Sequence, residues 1–168
     1  PHIALIENLK QRGYYTILID YYKNPPARRV ADKHIQESTL DQEAVLKIAE
    51  DTNAELVISA CVDQANVTAC YVAEKLGLPA PYDYKTALSV SNKGLMKKKM
   101  LESGIPTSKY IYVDSPEEFI NSDLSFPVVV KPSDSNGSKG VRTAKNLVEL
   151  NEHLLEALKI SRDNKAII

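Results

Sequence analysis

Apolar positions in the first half of the chain alternate between helical and strand-like spacing. Segments with apolar residues three and four positions apart are separated by short β-rich runs. Helices that alternate with short apolar strands are typical of a parallel sheet covered by helices on both faces. The predicted elements are helices near residues 3–9, 40–48 and 65–76, strands at 15–20 and 55–61, and a short edge strand at 34–36.

A change of pattern divides the chain near Ser91. The residues before it contain prolines and a polar stretch, whereas those after it mix β-rich runs and helices without regular alternation. The sequence predicts an α/β domain with a parallel sheet over residues 1–90 and an α+β region over residues 91–168. In the second region we expect helices after Lys93, Pro116 and Asn146, and strands at 110–113, 128–130 and 167–168.

The helix after Lys93 shows two kinds of side chain. Its apolar residues Leu95, Met96 and Met100 are expected to face the interior. The lysine run 97–99 is interpreted as the solvated face, because charged runs on helices are usually exposed. We therefore assign no chemistry to that run.

Composition and charge exclude several function classes. The 168 residues include 21 Lys+Arg against 22 Asp+Glu, and a net charge of −1 gives no basic field for nucleic acid. No apolar run approaches the roughly 20 residues that cross a bilayer, and no signal-peptide pattern is present. The three histidines show no metal-ligand spacing, so no metal ligand is predicted in the chain. We expect a cytoplasmic protein that binds neither nucleic acid nor membranes.

The stretch from Phe126 to Val141 is the best candidate for chemistry. The β-rich run Val128–Val130 leads directly into Lys131, whose ammonium needs either solvent or an anion at the strand end. Short polar residues with Gly137 and Gly140 follow, and such a loop can direct backbone N–H groups at phosphates. The spacing matches neither GxGxxG nor the P-loop, so an ordinary hairpin with an exposed lysine stays open on these residues alone.

Two motifs in this order resemble the ATP-grasp ligases. The residues PVVVKP at 127–132 and GSKGV at 137–141 are similar to that family's strand and glycine-rich loop. The residues NKGLMK at 92–97 and SGIPT at 103–107 are similar to its lysine-bearing helix start and the turn that follows. The preceding region is similar to the Rossmann-like domain of carbamoyl-phosphate synthase large chains, biotin carboxylase and phosphoribosylglycinamide synthetase. The resemblance implies a Rossmann-like pre-ATP-grasp sheet, with its first strand before residue 1, followed by the α+β start of an ATP-grasp domain.

The resemblance also implies an activity. ATP-grasp ligases join a carboxylate to an amine or thiol through an acyl phosphate, and they use ATP and Mg²⁺. A small carboxylate and an amine-type acceptor are the implied substrates, and a homodimer is left open. Metal ligands and adenine contacts are expected after residue 168, so this chain is expected to be inactive alone. The residues implied to contact ATP are Lys93, Lys131, Ser133, Asn136, Gly137, Ser138 and Gly140.

Other interpretations stay open from the sequence. A non-catalytic Rossmann-like module for nucleotide binding or assembly would retain the fold without turnover. A dinucleotide-dependent oxidoreductase would require a glycine-rich turn before residue 1. The loop at 131–138 also resembles D-alanine-D-alanine ligases, whereas the N-terminal layout is closer to the purine-biosynthesis and carboxylase branches, so the substrate is undetermined.

Overall fold

A computed structural model describes residues 2–135 and 137–168 of the chain. The chain divides into two compact units, Pro1–Leu88 and Ser89–Ile168. The first contains a parallel sheet with helices and the second an antiparallel sheet with helices, which confirms the predicted α/β class. Among the described residues, no helix combines the length and apolar character that crossing a membrane requires.

The first unit is built on a two-stranded parallel sheet. Leu18 of one strand lies opposite His34 of the other, so the predicted edge strand is confirmed. A 3₁₀ helix connects the two strands. The elements are α1 (His2–Gln11), β1 (Ile17–Ile19), the 3₁₀ helix (Pro26–Arg29), β2 (Lys33–Ile35), α2 (Gln42–Asp51), α3 (Asp63–Leu76) and α4 (Tyr84–Ser91).

Helices α2 and α3 pack against each other. Val45 and Ala49 of α2 and Val72 of α3 are buried together. Asp41 begins α2 by accepting a 3.0 Å hydrogen bond from the backbone of Ala44, which satisfies one of the free N–H groups of the first turn. Gly77 ends α3 with a φ of 66°, a left-handed conformation that glycine adopts without steric penalty. The predicted end of this helix is confirmed.

The strand predicted at residues 55–61 is wrong. This segment joins no sheet within the part of the chain that the structure describes, and β1 is paired there with β2 alone. Leu56 is 38% and Ile58 51% exposed. A strand needs a hydrogen-bonded neighbour as well as suitable side chains, and the apolar run specifies only the side chains.

The second unit is a four-stranded antiparallel sheet in the order β3-β6-β4-β5. Helix α7 packs on this sheet and buries Leu150 and Leu154 against Val128 and Val130. The elements are α5 (Lys93–Glu102), β3 (Tyr112–Val113), α6 (Glu117–Ile120), β4 (Val128–Pro132), β5 (Arg142–Ala144), α7 (Leu147–Ile160) and β6 (Ala166–Ile167).

Helix α5 buries a different face from the predicted one. Leu95 is 44% exposed, whereas Lys97, assigned to the solvated face, is only 7% exposed. The cause is Gly94, which lacks a side chain and lets the ring of Tyr112 approach so closely that a Cβ there would lie 2.7 Å from it. Because residues three apart share a helix face, the approach at Gly94 also turns Lys97 inward.

Candidate functional site

Strand β4 places Lys131 on the side of the sheet that faces away from the buried core. Val128, Val130 and Pro132 are buried, whereas Val129 is exposed and Lys131 half-buried. Successive side chains of a strand point to opposite faces, so Lys131 shares its face with Val129. The hairpin partner β5 and the neighbour β6 fix the strand on both edges.

A cavity of about 360 Å³ opens on this face. Lys131 and Lys97 both line it, together with Tyr110, Val129 and Ile167. Lys109 and Asp123 line it as well, so apolar and polar side chains contribute about equally, with three ammonium groups and one carboxylate among the lining residues. A concave site that combines apolar side chains with a few convergent polar and charged groups is the usual form of a small-molecule site.

The loop that follows β4 is held at its base by Ser133. This residue is fully buried, and its hydroxyl is hydrogen-bonded to Ser161 (2.9 Å) and Asp163 (2.5 Å). Its backbone N–H donates to Lys165 and its carbonyl accepts from the backbone of Lys93. Ser133 thus anchors the loop at the point where α5 begins.

Lys93 reaches the same loop with its side chain. The ammonium donates to the carbonyl of Ser135 at 2.5 Å. Asn92 fixes the start of the helix, since its side-chain oxygen accepts from the backbone of Gly94 and Leu95 at 3.0 Å each. The capped helix therefore presents Lys93 to the loop that follows Lys131.

Asp163 connects these parts of the second unit. Its carboxylate accepts from Asn92 at 2.9 Å and from Ser161 at 2.7 Å, as well as from the hydroxyl groups of Ser133 and Tyr112. Burial alone would raise the pKa of Asp163, but the hydrogen bonds from Ser133, Tyr112, Ser161 and Asn92 outweigh it and lower the pKa to about 2. The carboxylate stays ionised and holds the loop base to the helix cap.

The loop itself contains two glycines with different surroundings. Gly137 and Ser138 have φ angles of 60° and 57°, and a Cβ at Gly137 would meet nothing within 4 Å. Gly140 has a φ of 70°, and a Cβ there would lie 2.7 Å from Ile160. Gly140 is therefore the packed end of the loop and Gly137 the open part. Asn136 lies outside the described residues.

Lys97 was missed as a candidate in the sequence. Its ammonium donates to the hydroxyl groups of Thr107 (2.7 Å) and Ser108 (2.8 Å), and it lies 4.9 Å from the centre of the Tyr110 ring. Burial, together with the nearby charge of Lys131, lowers the pKa of Lys97. Its position four residues after Lys93 was the available signal, because such a spacing puts both lysines on one face of the helix.

The structure groups the predicted site residues around the loop. Lys93 contacts Ser135, Ser133 forms the loop base, and Gly137, Ser138 and Gly140 form the turn before β5. Lys131 shares its cavity with Lys97. The joint contact of Lys93 and Lys131 with one triphosphate stays a prediction. Asp163 was also missed, and its partners are too far away in the sequence to reveal it.

Comparisons with known proteins agree with these motifs. Residues 99–168 match the family model described as D-ala D-ala ligase C-terminus. Formate-dependent phosphoribosylglycinamide formyltransferase of Mannheimia succiniciproducens is 27% identical over 150 residues, which are 88% of this chain and 38% of that protein. The enzyme of the same name from Methanocaldococcus jannaschii is 29% identical over 154 residues, 90% of this chain and 38% of that protein. The chain thus spans well under half the length of these relatives.

A solved structure shows the same fold. The biotin carboxylase domain of 2-oxoglutarate carboxylase from Hydrogenobacter thermophilus, in complex with MgADP, ADP and bicarbonate, has a TM-score of 0.76 at 20% identity. The match covers 99% of this chain and 41% of that one. Family model, relatives and fold together confirm the resemblance to the ATP-grasp ligase superfamily that the motifs indicate.

Proposed function

We propose that the full-length protein is an ATP-dependent ligase that joins a carboxylate to an amine through an acyl phosphate, and that this chain holds the phosphates of ATP. Lys93 and Lys131 supply the charge, and the loop with Gly137, Ser138 and Gly140 covers the phosphates. Asn136, which lies outside the described residues, is included in the proposed set of phosphate contacts. Ser133 contributes by fixing the loop base, where its hydroxyl is already engaged.

The observation that carries the proposal is that two lysines from separate elements flank one loop. Lys131 is the penultimate residue of β4, directly before Pro132 and the loop. The ammonium of Lys93 donates to the carbonyl of Ser135 within that loop. A carbonyl oxygen is a weak partner for an ammonium compared with a phosphate oxygen. A bound polyphosphate could therefore take over the contact of Lys93, while the loop closes over it.

This arrangement suits phosphoryl transfer. Catalysis in such reactions rests on positioning and on neutralising the charge of the transferred group rather than on covalent chemistry by the protein. Two lysines act as point charges and loop N–H groups add directed hydrogen bonds. Mg²⁺ belongs to the proposal as the ion on the phosphate oxygens, and we assign it no ligand within this chain.

The nucleotide part of the proposal is tested by ATP affinity in the full-length protein. Lys93→Ala and Lys131→Ala should each weaken binding about 10- to 100-fold, since each removes one charge-assisted contact. Lys98→Ala is the matched control, because the Lys98 side chain is 70% exposed on the same helix. Unchanged affinity in both lysine variants would overturn the assignment.

The ligase part is tested by trapping the intermediate. The full-length protein is incubated with MgATP, hydroxylamine and single carboxylates, beginning with formate and bicarbonate because these appear in the names of the relatives and the solved structure. A carboxylate oxygen attacks the γ-phosphorus of ATP and ADP leaves. The nitrogen of hydroxylamine then attacks the acyl carbon, a C–N bond forms and phosphate leaves, so ADP accumulates with a hydroxamate from formate or an N-hydroxycarbamate from bicarbonate. ATP binding without ADP formation with any carboxylate would favour a non-catalytic nucleotide-binding module.

The quaternary state belongs to the same proposal. The related structure from Hydrogenobacter thermophilus is described as a domain dimer. We propose a homodimer for the full-length protein, which light scattering at working concentration measures directly. A monomer would remove this part of the proposal and leave the nucleotide site untouched.

A further inference from the structure

Lys97 is a buried cation with neutral partners. Its ammonium donates to the hydroxyl groups of Thr107 and Ser108 and, at 3.2 Å, to the carbonyl of Ser108. The ring of Tyr110 lies beneath it at 4.9 Å. None of these groups carries a negative charge, and no acidic partner of Lys97 occurs in the ranges that the structure describes.

This environment gives Lys97 no ion pair within the described ranges, although Asp123 lines the same cavity. A buried ammonium normally has an acidic partner, because burial without one is costly. Here the charged group that acts on it is a second lysine, Lys131, whose repulsion lowers the pKa of Lys97 further. Lys97, Lys109 and Lys131 line one cavity in which Asp123 supplies a single carboxylate. Positive charge is therefore in excess there, and an anionic ligand would relieve the repulsion between the cations.

The place where such a ligand can bind is the 360 Å³ cavity that both lysines line. We propose that Lys97 is a third cation of the nucleotide site and that, with Lys131, it selects ligands by their phosphate charge. The inference rests on the proposed function and adds a residue to it. The three N–H groups of the Lys97 ammonium are directed at Thr107 and Ser108. Lys97 therefore acts as a fixed positive charge beside the ligand rather than as a hydrogen-bond donor to it.

A fixed charge has a signature that a structural role lacks. The free energy of its interaction grows with the charge of the ligand and weakens as salt screens it. Removing it should therefore reduce affinity for ATP more than for ADP and for ADP more than for AMP. Loss of packing alone would reduce affinity for the three nucleotides by one common factor.

The experiment measures dissociation constants of ATP, ADP and AMP at several salt concentrations in the full-length protein. Lys97→Met should weaken ATP binding about tenfold or more, with a smaller change for AMP and a shallower salt dependence. Lys97→Arg, which retains the charge, should restore most of the affinity. Lys98→Met, next in the chain and exposed, is the matched control and should bind as the wild type.

The outcomes separate this inference from the proposed function. If the wild type binds no ATP, the proposed function itself fails. If Lys131→Met weakens ATP binding but Lys97→Met does not, or weakens all three nucleotides equally, only the role of Lys97 is overturned. If Lys97→Met does not fold, Lys97→Gln takes its place, because glutamine can still donate to Thr107 and Ser108. The dissociation constants of ATP, ADP and AMP are then compared in the same way.

Discussion

Single carboxylates hold several backbone segments together in this chain. In the second unit Asp163 joins the loop base, the cap of α5 and β3. In the first unit Asp32 accepts from the backbone and hydroxyl of Thr16 at 2.8 Å each and lies 2.6 Å from the ammonium of Lys10. The hydrogen bonds from Lys10 and Thr16 lower the pKa of Asp32 to about 2. Asp32 in the first unit and Asp163 in the second are thus carboxylates whose ionised form the folded state favours.

These two groups predict acid sensitivity. Both pKa values lie below the ordinary value of 3.8, so the folded state favours the ionised form. Their stabilisation is complete above pH ~5 and is lost as the pH falls through the window down to about 2. The free energy of unfolding, measured by urea titration with circular dichroism, should decrease over this window. Asp163→Asn and Asp32→Asn should flatten the decrease.

The size of the effect differs between the two sites. At neutral pH Asp163→Asn should lower the free energy of unfolding by about 1 kcal/mol, since the site is partly open to solvent and screened. For Asp32→Asn only the direction, a loss of stability, is predicted. Asp51→Asn, at the exposed end of α2, is the control and should follow the wild type. If the free energy of unfolding of both Asp variants fell with pH as steeply as that of the wild type, Asp163 and Asp32 would not be the source of the acid sensitivity.

At the scale of elements, the helix ends were predicted best, because residues within one turn determine them. The cap of α7 joins Asn146 and Glu149, and the end of α3 depends on Gly77 alone. These signals lie within one helical turn, so the sequence contains them in full. The α5 cap at Asn92 follows the same rule.

Features that depend on residues distant in the sequence were missed, because no local sequence pattern contains them. The burial of Lys97 depends on Thr107 and Ser108, and Asn92 meets Asp163 across 71 positions. The segment 55–61 was wrongly assigned as a strand because its composition says nothing about a neighbouring strand. Periodicity gives the local conformation, whereas pairing is a property of two segments at once.

The contact between α5 and β3 predicts an unusual response at Gly94. Glycine to alanine within a helix normally stabilises by up to about 1 kcal/mol. At Gly94 the new Cβ would lie 2.7 Å from the Tyr112 ring, whose hydroxyl is held by Asp163. We expect Gly94→Ala to lower the free energy of unfolding by about 1–3 kcal/mol, measured by urea titration.

A second background tests the cause. In a Tyr112→Ala variant the ring is absent, so adding Gly94→Ala should raise the free energy of unfolding instead. The reversal of sign identifies the ring contact as the reason for the glycine. A stabilising effect of Gly94→Ala in the presence of Tyr112 would show that α5 does not need the close approach.

At the scale of the whole molecule, each unit has a buried core made of its own residues. Leu150 and Leu154 of α7 lie in the core of the second unit with the sheet residues Val128 and Val130. Val45 and Val72 lie in a core of the first unit. Because stability comes mainly from burial of apolar surface, each core should govern the opening of its own helices.

This division is measurable by amide hydrogen exchange. Leu154→Ala removes a fully buried side chain and should lower the free energy of unfolding by about 2–5 kcal/mol, with faster exchange in α7 and unchanged exchange in α3. Val72→Ala should give the converse pattern. The neighbour Leu155 is 58% exposed, so Leu155→Ala should change stability by less than about 0.5 kcal/mol. Equal acceleration in α3 and α7 from either core variant would mean that the two units unfold together, and stability would then be a property of the chain as a whole.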